Sequence, residues 1–157
     1  MMKNEIIFEN PHRFTMENIS EIENKTGFVL PIEIQRFLIR NGGENVKFGD
    51  KACFFKLTYE DGWQTDDGLI NVESSETILE NCQYRSYLDE LQKHFEVETN
   101  YVEPEKLFPL FENFTRKYVF IAIRGFHNRK ICHVDNGDFG FCFMANSLHA
   151  FLDKCYG

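Results

Sequence analysis

Apolar positions along the chain change period several times, and each period predicts a different element. Ile6, Ile7 and Phe8 form a short β-like run that ends at Asn10-Pro11. Met16, Ile19 and Ile22 then recur every third residue, the narrow stripe of a helix facing a core. Thr15 is placed to cap that helix, with Phe14 before the cap and Ile19 after it as a hydrophobic staple, and Gly27 is placed to end it. Pro31 opens a second helix, where a missing N–H costs nothing and a fixed φ is already suitable. Its inward face is Ile34, Phe37 and Leu38. Glu33 in the first turn and Arg36 and Arg40 near the end suit the helix dipole, and Asn41-Gly42-Gly43 stops it.

Strict alternation follows over residues 52–59, with Cys53, Phe55, Leu57 and Tyr59 on one face and Lys56 and Thr58 on the other, which predicts a half-buried strand. "EDGWQTDDG" reads as a loop and "LINV" as a short strand. Ser74 or Ser75 caps a long helix reaching about Phe95, with Tyr84, Leu88, Leu91 and Phe95 on its buried side, and "EVETNYVEPE" connects onward. "LFPLF", "KYVFIAI" and "KICHV" predict strands, the second apolar on both faces and therefore central. Asn136-Gly137 marks a hairpin. A two-residue loop there pairs Cys132 with Phe141 and Val134 with Phe139, and sets His133 opposite Gly140. The last strand, residues 139–144, runs through Asn146 or Ser147 into a terminal helix with Leu148, Phe151, Leu152 and Cys155 inward. Together these elements predict an α+β domain.

Composition narrows the class. A chain of 157 residues with 43% hydrophobic and 27% charged positions matches one folded domain, and 17 phenylalanines make its core strongly aromatic. A net charge of -8 argues against duplex nucleic acid or an anionic membrane as partner and favours a basic one. Five cysteines, an odd number with no CxxC pair, read as free thiols in a reducing compartment. No window approaches the ~18 apolar residues of a membrane span, so the cytoplasm is the expected location.

Catalytic patterns are sparse: GxSxG, HExxH, P-loop and zinc-type cysteine spacings are all missing, and no catalytic residue, cofactor or metal is assigned. In "CHVDNGDFGFC", Cys132 and His133 point to opposite faces of a strand, which favours a core thiol and a sheet histidine over metal ligation. "DNGDFG" lacks the calcium-loop glutamate, since the twelfth residue from Asp135 is Asn146. "NGGENVKFG" follows a helix and offers no helix N-terminus to a phosphate. A spatial Cys–His nucleophile pair stays open at this stage, as does single-stranded nucleic acid on "FTRKYVFIAIRGFHNRK", although a buried strand with charged ends explains that segment better.

One charge run stands apart. Between Glu60 and Glu80 there are acids but no lysine or arginine, and the single tryptophan lies among them. A solvated loop and helix face is the plainer explanation. The sharper one is a docking surface for a basic partner made from Glu60, Asp61, Trp63, Asp66, Asp67 and Glu73, with Trp63 as anchor and the carboxylates steering approach.

Several short motifs, taken in order, resemble the SUKH superfamily. The helix pattern "I…IE…G" is matched by Ile19, Ile22, Glu23 and Gly27, and the "LP…FL…NGG" segment by Leu30, Pro31, Phe37, Leu38, Asn41, Gly42 and Gly43. "ANSLHAFLDKC" is similar to the closing helix, with Leu148 in place of the usual phenylalanine, and "ICHVDNGDFGF" to the late strand and hairpin. The motifs span roughly half the chain, and residues 50–105 carry none. The resemblance implies one SUKH-like domain over residues 1–157, with several helices on a mixed, largely antiparallel sheet, and a non-catalytic binding role. Bacterial members typically bind and neutralise a protein toxin, often a nuclease, encoded beside them. A nuclease grips phosphates with a cationic cleft that carboxylates can occupy. Two alternatives accompany that expectation: an adaptor like the eukaryotic members, and a domain binding a small ligand in an aromatic pocket.

Overall fold

The computed structural model describes residues 5–9, 13–58, 62–83, 107–115, 119–122, 129–134 and 141–157. Within them lie β1 (Ile6–Glu9), α1 (Met16–Thr26), α2 (Ile32–Asn41), β2 (Asn45–Phe48), β3 (Lys51–Thr58), β4 (Gln64–Val72), α3 (Ser75–Gln83), β5 (Leu107–Asn113), β6 (Val119–Ala122), β7 (Ile131–Val134), β8 (Phe141–Ala145) and α4 (Leu148–Lys154). The strands form one sheet in chain order, and every described pairing is antiparallel. Asn45 of β2 also pairs with Asn71 of β4, which curls the first strands around β3. The domain is α+β.

Local chemistry explains the helices. Thr15 and Asn18 exchange capping bonds at the start of α1, and Gly27 ends it in the left-handed region, donating to the Glu23 carbonyl. Ile19 and Ile22 are buried, but Met16, expected to share their stripe, is 54% exposed. It is the first helical residue, at the mouth of the stripe. Pro31 is itself the cap of α2, and its carbonyl accepts from Ile34 and Gln35. Gly42 closes α2 with an ordinary negative φ, while Gly43 takes the left-handed conformation. Ser74 and Thr77 bond reciprocally at the head of α3, and Ser147 caps α4 through the Ala150 N–H. The expected continuation of α3 through Tyr84, Leu88, Leu91 and Phe95 lies outside the described residues.

The sheet departs from expectation in two places. Residues 64–68, expected in a loop, are the first half of β4 and pair with β3 from Thr58↔Gln64 to Phe54↔Gly68. Cross-strand pairing outweighs the poor strand preference of Asp and Gly here. In the last hairpin, Val134 pairs with Phe141, His133 with Cys142 and Cys132 with Phe143, so the connection is longer than two residues. The register slips by an even number of residues. Asn136 and Gly137 themselves lie outside the described residues.

The core is as aromatic as the composition requires. Phe151 of α4 packs edge-on against Phe55 of β3 and tilted against Phe111 of β5, with ring centroids 5.5 and 5.8 Å apart. Phe28, just after α1, meets Phe108 at 5.6 Å. Cys53 and Cys155 are free, buried thiols, and Cys132 is buried as well.

Candidate interaction surface

The β3–β4 hairpin and the two segments that fold onto it form the best-organised exposed surface among the described residues. Side chains alternate along β4, so Gln64, Asp66 and Gly68 share one face, and Thr65, Asp67 and Leu69 share the other. The first set joins Phe54 and Lys56 of β3 on the outer side; the second joins the buried Phe55 and Leu57.

Two chain segments complete the outer face. Tyr156 pairs through both backbone groups with Phe54, at 2.7 and 2.9 Å. Its ring stacks on Phe54 with centroids 6.1 Å apart, and its hydroxyl donates to Asp66 Oδ1. Burial, then the Asp66 bond and charge, push the Tyr156 hydroxyl up to about 12, so it remains a donor across the physiological range. From the other side, Phe114 stands edge-on to Phe54 at 5.9 Å while 50% exposed. Its ring occupies the space a side chain at position 68 would need, so Gly68 is what lets it lie over β4. Lys56 is the cross-strand neighbour of Asp66 but makes no ion pair with it.

Beneath that surface, Asp67 points inward and is 5% exposed. Its Oδ1 accepts from the Gly68 N–H at 2.8 Å, and its Oδ2 accepts from Asn113 Nδ2 at 2.9 Å and Thr115 Oγ1 at 2.7 Å. His133 Nε2 lies 3.8 Å from the same oxygen. One carboxylate thus ties β4, β5 and the turn after β5 together. Residues 113–115 clasp β4, with Asn113 and Thr115 reaching inward to Asp67 and Phe114 lying outside over Gly68.

Of the six residues expected to form an acidic docking surface, the structure brings few together. Asp66 is exposed on the outer face. Trp63, 48% exposed, immediately precedes β4. Asp67 and Glu73 are interior, which corrects their expected place at the surface. Glu73 sits between β4 and α3, with its N–H on the Leu110 carbonyl and its own carbonyl accepting from Gly43. Burial pushes its carboxyl up to about 7, opposed by a bond from Thr77 and assisted by the charge of Glu112. Glu60 and Asp61 lie outside the described residues. Sequence reasoning missed Phe54, Phe114 and Tyr156. No alternation of apolar and polar residues marks 64–68 as strand, since Thr65 and Asp67 on the inward face are as polar as Gln64 and Asp66 on the outer one.

A curled antiparallel sheet carrying helices, with no described helix long and apolar enough to cross a membrane, places the chain among α+β domains. Residues 13–154 match the model of the SMI1 / KNR4 family (SUKH-1), and the chain belongs to that family. The match includes residues 50–105, where the motifs fall silent. No curated protein matches the chain.

Proposed function

We propose that this protein is an immunity protein, which binds a cognate bacterial toxin stoichiometrically in the cytoplasm and blocks its active site or substrate access without catalysis of its own. Family membership supports a protein partner in general. The observation that carries the finer reading is the outer β3–β4 face, where exposed Phe114 and the Asp66 carboxylate are held in place by Gly68, Phe54 and Tyr156. Preorganised aromatic and charged groups lose little entropy on binding, as a stoichiometric inhibitor requires. The net charge of -8 favours a toxin with a basic surface, as a nuclease has.

Co-expression tests this directly. The toxin domain encoded beside the gene should kill host cells alone and spare them when this protein is present, with a one-to-one complex on a sizing column. Survival without this protein's binding, or death despite its expression, would reject the proposal.

A further inference from the structure

Asp66 is an exposed carboxylate whose surroundings use only part of its bonding capacity. Tyr156 donates to Oδ1, and among the described residues Oδ2 has no hydrogen-bond or ion-pair partner. The nearest cation by register, Lys56, stands directly across on β3 without pairing. The Tyr156 ring, tied to Asp66 through its hydroxyl, belongs to a group of three on the same face: it stacks on Phe54 at an interplanar angle of 29°, and Phe114 stands perpendicular to Phe54 at 89° over Gly68. The backbone bonds between Tyr156 and Phe54 and between Phe114 and Gly68 hold the three to the hairpin.

We infer that this carboxylate-and-aromatic surface is the seat of an arginine side chain from a basic protein partner, with the guanidinium bonded to Asp66 and stacked against the neighbouring rings. Arginine fits better than lysine, because a planar, weakly hydrated guanidinium can donate to a carboxylate and lie on an aromatic face at once, whereas an ammonium is a compact, strongly hydrated point charge. The protein's charge of -8 favours approach of such a partner and disfavours a second acidic copy of the same chain. Lys56 modulates the site, since its ammonium repels the incoming cation. The inference rests on the immunity reading for the partner's identity, but the local chemistry can be tested apart from it.

The test has two arms. In the first, hexa-arginine and hexalysine peptides are titrated into the isotopically labelled protein and followed by NMR. The shifts should centre on Phe54, Asp66, Phe114 and Tyr156, with hexa-arginine binding several-fold more tightly. Asp66→Asn should weaken it about tenfold, and Lys56→Ala should strengthen it about two- to threefold. Phe114→Leu, with folding checked from the same spectra, should weaken hexa-arginine more than hexalysine. Shifts centred elsewhere, or equal affinity of Asp66→Asn and the parent, overturn the inference.

In the second arm, Asp66→Asn is put through the co-expression assay. Protection by the parent but not by the folded variant supports the inference, whereas equal protection by both removes the arginine seat and leaves the immunity reading intact. No protection by the parent removes that reading, and the peptide arm alone then decides the seat. A concentration-dependent dimer abolished by Asp66→Asn would reassign the surface to self-association.

Discussion

The side-chain amide of Asn113 donates to Asp67 across 46 residues of sequence, at 2.9 Å and with both residues almost wholly buried. A buried carboxylate is tolerable only while its acceptor sites are filled, so the bond matters more for what its loss exposes than for its own strength. Asn113→Ala is expected to destabilise the fold by about 2–3 kcal/mol in urea titrations. The double substitution Asp67→Leu, Asn113→Leu should cost less than the sum of the single changes, because it removes the stranded charge with its partner.

Gly42 and Gly27 make opposite demands on their glycines. At Gly42, φ is -56°, which any residue adopts, but a Cβ would strike the Phe14 ring and come within 2.6 Å of the Leu38 carbonyl. At Gly27 nothing lies within 4 Å, but φ is 76°. Gly27→Ala should therefore cost about 1 kcal/mol from backbone strain, and Gly42→Ala about 2 kcal/mol or more from overlap with backbone that no rotamer relieves. Paired thermal melts would check the order, and a larger loss at Gly27 would contradict it.

Ser147 holds the seven-residue helix α4 by accepting from the Ala150 N–H at 3.1 Å. That helix delivers Tyr156 to Phe54. Ser147→Ala should cost about 1 kcal/mol, and hydrogen exchange should quicken at the Phe54 and Tyr156 amides before it does in β6. Unchanged exchange at those two amides would show that the terminal bridge is independent of the cap.

Local rules carried far where local physics decides. Thr15, Gly27, Pro31 and Ser147 act at helix ends through bonds to residues a few positions away, and the alternation of Cys53, Phe55 and Leu57 records a one-sided strand. The α+β class and the family motifs were legible for the same reason. The interaction surface was not, because its parts come from distant segments: Phe54, Asp66, Phe114 and Tyr156 meet only after β3, β4, the end of β5 and the chain end are assembled. Charge counting could not separate Asp66 from Asp67, although one strand step puts the first in solvent and the second in the core. The last hairpin failed similarly, since the Asn-Gly signal marks a turn without fixing the length of the connection around it.

Glu73 gives the fold a pH dependence of unusual sign. Its carboxyl is 3% exposed, its Oε1 has no hydrogen-bond partner, and burial raises it from 4.5 to about 7. Below 4.5 the native and unfolded chains both hold this proton, and the stability it contributes is fully present. Between 4.5 and about 7 the unfolded chain has released the proton while the native chain keeps it, so stability falls as pH rises, and above about 7 the loss is complete. The full change amounts to about 3 kcal/mol. Carboxylates held low elsewhere would tilt the parent's profile the other way, so the informative quantity is the difference between the parent and Glu73→Gln. The glutamine amide would itself be poorly bonded in the pocket and lower stability at acid pH by about 1–3 kcal/mol. It cannot ionise, however, and the gap should shrink, then close or reverse, as pH rises through the window. Urea midpoints for both chains across that range measure it, and a constant gap would mean that Glu73 ionises in the native protein at its ordinary value.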